Sequence, residues 1–257
     1  MTFAPAPFAA ALPPLLAGRR VVVMGSAVAR AADAAGAEVI GLDDRRGFEA
    51  VAALYLADLH DAAALDAAAA QLPDGIDALA LFPDPGEGTP AQVLARALLA
   101  PRHWAERLAP HLNPGGAIVL RGAPPHAARA GRLAEVRAAM ALRPDDLDGF
   151  ADRWGLNAEP TRTLATAGWA LQAWAMARCQ AWADQHIRIN AVVPAAPDGR
   201  LPPAIVAAAR AEANAGTDAA ARAALFLMSP LSAGITGATL AADHGLSAKI
   251  STSLDGL

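Results

Sequence analysis

The sequence of 257 residues contains only one tyrosine, Tyr55, one lysine, Lys249, and one cysteine, Cys179. A single cysteine excludes an internal disulfide and any multi-cysteine metal site, and it is typical of proteins in a reducing compartment. The single tyrosine and single lysine exclude chemistry that needs the two residues four positions apart. Since lysine and arginine together number 21, arginine supplies the other 20, a bias that a GC-rich genome also produces.

Charged residues and long apolar runs are scarce as well. Only 18% of the residues are charged, 54% are hydrophobic and the net charge is -4, which excludes intrinsic disorder and a binder of nucleic-acid phosphates. Residues 1–18 carry no charge, but Pro5, Pro7, Pro13 and Pro14 interrupt them, so this stretch is a poor signal peptide or membrane span. We expect a cytoplasmic protein without nucleic-acid or membrane partners.

Short β-branched runs alternate with helical segments along the chain. The predicted strands are residues 20–25, 39–43, 53–57, 77–82, 117–120, 187–193 and 238–242, and the predicted helices are residues 27–35, 61–72, 90–112, 130–142, 161–183, 202–213 and 218–228. Such alternation is typical of a parallel sheet covered on both faces. The sequence therefore predicts an α/β fold: one doubly wound Rossmann-like domain over residues 1–257, with a seven-stranded, mainly parallel sheet, helices on both faces and an irregular excursion over 122–159.

Six segments occur in the order in which the short-chain dehydrogenase/reductase family has them. They are residues 16–25, 35–43, 57–59, 187–194, 224–230 and 235–240. Through them the chain resembles this family over most of its length, and the last two segments look most like those of bacterial 3α-hydroxysteroid dehydrogenases. The resemblance implies a Rossmann fold and, in members that are active enzymes, oxidation of alcohols with NAD.

The phosphate-binding loop departs from the pattern of that family. Family members follow the first strand with Thr-Gly-x-x-x-Gly-x-Gly, whose glycines let a pyrophosphate approach the backbone and a helix N-terminus. Residues 24–30 contain one glycine, Gly25, and the stretch from it to Gly36 is about six residues shorter than the fingerprint would make it. The departure implies that this chain binds no dinucleotide in the usual pose, unless another nucleotide-binding solution has replaced the loop.

The four groups that perform the family's chemistry are replaced too. Aligning residues 187–190 with the family strand puts Leu164 at the position of the catalytic tyrosine and Gly168 at that of the lysine, which lowers the pKa of the phenol for proton exchange. Gly122 occupies the position of the catalytic serine, and Ala97 occupies the position of the asparagine that orders a proton-relay water. None of these side chains can exchange a proton. The resemblance therefore implies a catalytically inactive member of the family.

Gly25, Asp43 and Asp58 remain as vestigial candidates for cofactor contacts. In the family, the positions of Asp43 and Asp58 contact the adenosine ribose and the adenine ring, although an aspartate at a strand end also commonly caps a turn. A degraded cleft of this kind could still hold an adenine-containing ligand such as coenzyme A. None of the six histidines has a neighbour at metal-ligand spacing, so we expect no bound metal.

Arg102, Arg121, His126 and Arg129 have two interpretations. They could gather at the mouth of the former active site and receive an anionic group, or they could be solvated charges on loops and helix faces. We favour the solvated interpretation, because charged side chains are mostly exposed.

Two long predicted helices, 90–112 and 161–183, are candidates for a subunit interface, because the corresponding helices form the main dimer contact in the family. Gly168, Ala165 and Ala175 would allow close approach between subunits. Three tryptophans of the second helix would supply buried area, in addition to any place they have in the core.

Together these observations predict a non-catalytic subunit that pairs with an active paralogue in a heteromeric NAD-dependent alcohol dehydrogenase. NAD would be bound by the partner and not by this chain. Dehydrogenases with an inactive subunit include the one that acts on hydroxy(phenyl)methylsuccinyl-CoA in anaerobic toluene degradation, and the chain resembles a candidate for that subunit. The alternatives are a stand-alone protein that binds a small ligand or regulates through it, and an active dehydrogenase with relocated catalytic groups.

Overall fold

A computed structural model describes residues 14–44, 51–59, 61–84, 88–124, 132–195 and 219–254. Its strands are β1 (Arg20–Met24), β2 (Glu38–Asp43), β3 (Ala53–Leu56), β4 (Ile76–Leu81), β5 (Leu112–Arg121), β6 (Arg188–Pro194) and β7 (Thr239–Ala242). They form one sheet in the order β3-β2-β1-β4-β5-β6-β7, and every neighbouring pair is parallel. The predicted doubly wound α/β fold is thereby confirmed, with a sheet that is parallel throughout rather than mainly parallel.

All but the last of the helices lie between strands along the chain, and most are close to their predicted places. They are α1 (Ser26–Ala34), α2 (Ala62–Ala69), α3 (Pro90–Leu94), α4 (Ala100–Leu108), α5 (Leu133–Met140), α6 (Leu147–Arg153), α7 (Pro160–Arg178), α8 (Ala219–Met228) and α9 (Leu246–Leu254). A π-helical segment, Ala95–Leu99, joins α3 to α4. The sequence pattern did not predict α9, and the predicted helix 202–213 lies outside the described residues. No helix in the ranges given above is long and apolar enough to cross a lipid bilayer.

Apolar side chains bury the sheet on both faces, as continuous apolar strands require. One core layer joins the sheet to α2, α3, α4 and α7, and it includes Leu65, Leu98 and Leu171. The opposite layer joins the sheet to α1 and α8, and it includes Val28 and Leu225. Since helices cover both faces, the carboxyl ends of the strands are the edge at which a site can form.

Strand β5 is longer than its apolar run indicates. It begins at Leu112, whereas the sequence predicts a start at residue 117. Gly115 has a φ of +83°, which a glycine adopts readily, and the pairing of β5 with β4 shifts register between Ile76 and Ala78. The strand therefore passes through the glycine-rich stretch with a local irregularity instead of starting after it.

The excursion over 122–159 is more regular than predicted. Its described residues, 122–124 and 132–159, contain two helices, α5 and α6, where the sequence predicts one. Val136 of α5 packs against Trp169 of α7 and Ala123 after β5. This burial against a distant helix stabilises the excursion, and no local sequence pattern shows it.

Two buried polar side chains of β6 hold the chain that precedes β7. Nη1 of Arg188 donates to the carbonyl of Leu227 at 2.9 Å and to the hydroxyl of Ser232 at 2.5 Å. Nδ2 of Asn190 donates to the carbonyl of Ile235 at 2.8 Å. These bonds satisfy buried backbone oxygens, so both residues are structural.

Candidate functional site

Most of the predicted site residues gather along the carboxyl edge of the sheet. Gly25 follows β1, Asp43 ends β2, Asp58 follows shortly after β3, and Gly122 follows β5. Parallel strands place their carboxyl ends at one edge, and the strand order changes direction between β1 and β4. Open α/β sheets bind ligands in the crevice at this position. These residues therefore lie where the fold favours a ligand.

Gly25 lies against the backbone of Phe82, the residue after β4. A Cβ atom on Gly25 would lie 2.3 Å from the carbonyl oxygen of Phe82, and the φ angle of Gly25 is +109°. Both facts require glycine here. Helix α1 begins at the next residue, Ser26, so no loop between β1 and α1 can wrap a pyrophosphate. The residues present do not fit a dinucleotide in the pose of the family.

An open depression of about 370 Å³ lies beside the ends of β2 and β3, and Asp44, Leu56, Ala57 and Asp58 line it. Asp43 is only 9% exposed, and its Oδ1 accepts a hydrogen bond from the N–H of Asp44 at 2.8 Å. Asp58 thus lines a depression at the predicted place. Asp44, the residue after the predicted Asp43, lines the depression together with Asp58.

Arg96 reaches the same edge from the π-helical segment Ala95–Leu99. Its Nη2 forms an ion pair with a carboxylate oxygen of Asp44, and the side chains of the two residues are 11% and 15% exposed. Single-turn π-helical segments are often found at functional sites. The sequence does not indicate a site role for Arg96, because no local signal separates it from the solvated arginines of other helices.

Helix α7 packs directly on the end of β5, at the positions assigned to the family's serine and lysine. A Cβ atom on Gly168 would lie 2.7 Å from the Cβ of Ala123 and 2.8 Å from the carbonyl carbon of Gly122. A Cβ atom on Gly122 would lie 2.9 Å from Cγ of Gln172. The structure therefore brings Gly122 and Gly168 together in a close-packed contact that has no volume for a lysine side chain.

Leu164 and Ala97, at the positions of the family's tyrosine and asparagine, belong to the core. Leu164 is partly buried and packs against the core layer that contains α7. Ala97 is 7% exposed and lies in the π-helical segment. Hydrocarbon side chains in apolar surroundings contribute packing and cannot act as general acids or bases.

The single tyrosine lies far from these positions in the fold, and the single lysine lies on a different helix from Leu164 and Gly168. Tyr55 is on the edge strand β3, four strands away from β5, which corresponds to about 19 Å at the usual spacing of strands. Lys249 is exposed on α9. Within the described ranges, no group of three or more His, Cys, Asp or Glu side chains is placed to hold a metal ion.

Arg102 is not a solvated charge, so our expectation for this residue was wrong. Its guanidinium donates to the carbonyls of Met140 at 2.7 Å and Leu142 at 2.5 Å. It therefore caps the carboxyl end of α5, where a cation also interacts favourably with the helix dipole. Burial lowers the pKa of Arg102. Its predicted neighbours His126 and Arg129 lie outside the described residues.

The tryptophans of the predicted helix 161–183 pack largely against other side chains of the same chain. Trp169 and Trp174 are 3% and 5% exposed, and Trp182 packs against Trp174 with ring centroids 6.4 Å apart. Our expectation that these residues supply interface area is therefore wrong for Trp169 and Trp174, because core packing has already buried them. Met176, 55% exposed, is a large apolar side chain that α7 presents to solvent.

Solved structures with a similar fold are short-chain dehydrogenases and reductases. The 3α-hydroxysteroid dehydrogenase of Pseudomonas sp. B-0831, solved with NADH, is 22% identical with a TM-score of 0.70, and the match covers 90% of this chain and 98% of that one. A short-chain dehydrogenase/reductase from Burkholderia xenovorans is 20% identical with a TM-score of 0.61, covering 91% and 98%. An enoyl-(acyl-carrier-protein) reductase from Anaplasma phagocytophilum, solved with NAD, is 19% identical with a TM-score of 0.60, covering 91% and 94%.

A family model described as enoyl-(acyl carrier protein) reductase matches residues 160–247, which include α7, β6 and β7. No curated protein matches the sequence. The matched part contains Arg188 and Asn190 with their structural hydrogen bonds, as well as Leu164 and Gly168. The chain therefore has the fold of the short-chain dehydrogenases/reductases, and its residues 160–247 have the sequence pattern of that family.

Proposed function

We propose that this chain is a non-catalytic short-chain dehydrogenase/reductase that pairs with an active paralogue in a heteromeric NAD-dependent alcohol dehydrogenase. In this hetero-oligomer the partner binds NAD and transfers the proton, while this chain binds no cofactor and completes the assembly. The proposal rests above all on the contact between Gly168 and the backbone of Gly122 and Ala123.

That contact supports a loss of catalysis more strongly than the mere absence of the family's tyrosine and lysine does. A lysine at position 168 needs a path from α7 into the crevice, but its Cβ alone would meet the backbone of Gly122 and Ala123 at 2.8 Å. Protein interiors do not tolerate such overlap without movement of the backbone. Leu164 packs into the core where the family has its tyrosine. Dense packing has thus replaced the proton-transfer pair.

Helices α4 and α7 offer a surface for the partner. Met176 of α7 is 55% exposed. Nearby on the same helix, Arg178 binds Glu106 of α4 at 3.0 Å, and these two side chains are 48% and 43% exposed. Residues two positions apart point to different sides of a helix, so Met176 and this ion pair leave two sides of the last turn of α7 exposed to a partner. Together with the family's use of the corresponding helices, this supports pairing through 90–112 and 161–183.

The substrate class in this proposal comes from resemblance alone. We infer a hydroxyacyl-CoA ester, with hydroxy(phenyl)methylsuccinyl-CoA of anaerobic toluene degradation as the candidate. No side chain of this subunit contacts the reacting atoms in the proposal, so the partner selects the substrate.

If the neighbouring gene encodes an intact dehydrogenase, co-expression of the two chains tests the pairing. We expect the two chains to co-purify as one species in size-exclusion chromatography and native mass spectrometry. Met176→Glu should weaken the pairing at least about tenfold, because burying an unpaired charge is costly. Leu56→Glu, at the opposite edge of the sheet, should not weaken it. A monodisperse homo-oligomer that ignores the co-expressed dehydrogenase contradicts the proposal.

The depression beside Asp58 favours a second function, that of a stand-alone protein that binds a small ligand. Asp44 and Asp58 offer acceptor oxygens there, and Leu56 offers an exposed apolar surface. Calorimetric titration of the isolated chain with NAD, CoA esters and aromatic acids distinguishes the two functions, since saturable binding without a partner favours this one. NAD reduction by the isolated chain would instead indicate an active enzyme with relocated catalytic groups.

A further inference from the structure

A second cavity, of about 140 Å³, lies at the opposite edge of the sheet from the crevice. It is bounded by the end of α2, by the turn that leads into β4 and by the end of α4, and its lining includes Ile76, the first residue of β4. The amino ends of parallel strands share one edge, so this cavity is separate from the depression beside Asp58. It therefore offers a second place for a ligand.

Apolar side chains line the inner part of this cavity. Ile76 and Leu108 are 1% and 2% exposed, and Leu72 is partly buried against the same core layer. Engineered apolar cavities of about 150 Å³ bind benzene, whereas sites for drug-sized ligands are larger, roughly 300–1,000 Å³. The cavity thus has room for one hydrocarbon group of about four to six carbon atoms.

Polar side chains of both kinds surround this apolar part. Arg107 is 45% exposed and forms an ion pair with Asp66, Nε to Oδ1 at 3.3 Å. Among the described residues, the guanidinium of Arg107 has no other polar partner, and the side chains of Asp74 and His111, which also line the cavity, have none. A guanidinium has five donors, a neutral imidazole has one, and a carboxylate only accepts. The rim therefore offers donors to a carboxylate and an acceptor to an ammonium group.

The turn that carries Asp74 is held in place by bonds within the chain. Nη1 of Arg20 donates to the carbonyl of Asp74 at 2.6 Å, and the N–H of Leu72 donates to the carbonyl of Ala69 at 3.2 Å. The cavity is thus formed before any ligand binds, which lowers the entropy cost of binding.

We propose that this cavity binds a small apolar α-amino acid. The side chain of the amino acid contacts the apolar lining, its carboxylate accepts from Arg107 and His111, and its ammonium donates to Asp74. A simple carboxylic acid would meet the like charge of Asp74, and a simple amine would meet that of Arg107. A zwitterion pairs with both. The inference goes beyond the proposed function, since binding at this edge involves neither a paralogue nor a nucleotide.

Calorimetric titration of the isolated chain with L-leucine tests the proposal. We expect saturable binding with a Kd of about 1 mM or below. Isocaproate, which is leucine without its ammonium group, and isoamylamine, which is leucine without its carboxylate, should each bind at least about tenfold more weakly. These comparisons need no variant of the protein.

Two variants locate the binding. Arg107→Ala and Asp74→Asn should each weaken the binding of L-leucine at least about tenfold, because each removes one charged partner. Both side chains are exposed, so both variants should keep the circular dichroism spectrum and the urea midpoint of wild type. Arg178 is also a half-exposed arginine in an ion pair, with Glu106, and Arg178→Ala is the matched control that should bind as wild type does.

Three results overturn the proposal. They are no saturable binding of L-leucine up to about 10 mM, binding of isocaproate or isoamylamine as tight as that of L-leucine, and a folded Arg107→Ala or Asp74→Asn variant that binds L-leucine as wild type does. The last result would place the binding elsewhere on the chain. None of the three bears on pairing with a paralogue, which co-expression tests separately.

Discussion

Gly168 approaches Ala123 so closely that a Cβ atom on Gly168 would lie 2.7 Å from the Cβ atom of Ala123. Alanine forms helices better than glycine by about 1 kcal/mol, but here its methyl group must push α7 away from the end of β5. We expect Gly168→Ala to lower the free energy of unfolding by about 1–3 kcal/mol. Urea denaturation measures this change.

Gly149 in α6 is a matched control. Its Cβ would meet Oδ1 of Asp146, the end of an exposed and flexible side chain, at 2.7 Å. Gly149→Ala should therefore raise the free energy of unfolding by up to about 1 kcal/mol. Equal effects of the two substitutions would contradict the packing that we assign to Gly168.

Restoring the family's proton-transfer pair should not restore activity. Leu164→Tyr places a hydroxyl among core side chains, and Gly168→Lys places a long cation against the backbone of Gly122 and Ala123. We expect the double variant to lose about 3 kcal/mol or more of stability and to reduce no NAD with alcohol substrates, as followed by the absorbance of NADH. Activity in a folded double variant would show that only the side chains were missing.

Gly25→Ala should be more destabilising than an ordinary glycine substitution. Alanine is strained at the φ of +109°, and its Cβ would lie 2.3 Å from the carbonyl oxygen of Phe82. We expect a loss of about 3–5 kcal/mol in the free energy of unfolding. Gly115 has a φ of +83° with nothing within 4 Å, so Gly115→Ala should lose only about 1–2 kcal/mol. The difference between the two variants measures the contact with Phe82.

Glu135 links α5 to α7 through a buried carboxylate that is 1% exposed. Thr166 donates to its Oε1 at 2.6 Å and Arg132 to its Oε2 at 3.1 Å, and Nε of Arg162 lies 3.7 Å from Oε1. Glu135→Gln removes this carboxylate from both Arg132 and Arg162, although Arg162 keeps its ion pair with Glu159. We expect a loss of about 2–4 kcal/mol, with faster amide hydrogen exchange over 133–140.

Two controls separate charge from hydrogen bonding at Glu135. Thr166→Val keeps the carboxylate and should cost about 1 kcal/mol. Asp145→Asn breaks an ion pair with Arg143 in which both side chains are more than three-quarters exposed, and it should leave stability unchanged within error. If Glu135→Gln behaves like Asp145→Asn, the buried network does not stabilise the excursion.

Local sequence patterns were sufficient for the fold class, because a strand buried on both faces must be apolar along its whole length. The run at 20–25 and the run at 187–193 both became central strands, β1 and β6. The excursion was less predictable. α5 packs against Trp169 and is capped by Arg102, and α6 packs against α3. Such distant partners leave no periodic signal along the chain.

The candidate site was predictable in position but not in arrangement. Gly25, Asp43, Asp58 and Gly122 do follow their strands, since parallel strands share one carboxyl edge. The direction of the side chains after β2 decides that Asp44 lines the depression together with Asp58. The sequence did not predict Arg96 as part of the site, because its partner, Asp44, is 52 residues away along the chain.

The sequence by itself determined that the chain has no Tyr-x-x-x-Lys pair and only one glycine in residues 24–30, directly after the first strand, because residue identity is sufficient for both. Only the tertiary structure decided which contacts occupy the positions of that pair and of the phosphate-binding loop. Gly168 packs against Gly122 and Ala123, and Asp44 is held by Arg96, because strand order and helix docking bring together groups that are distant along the chain.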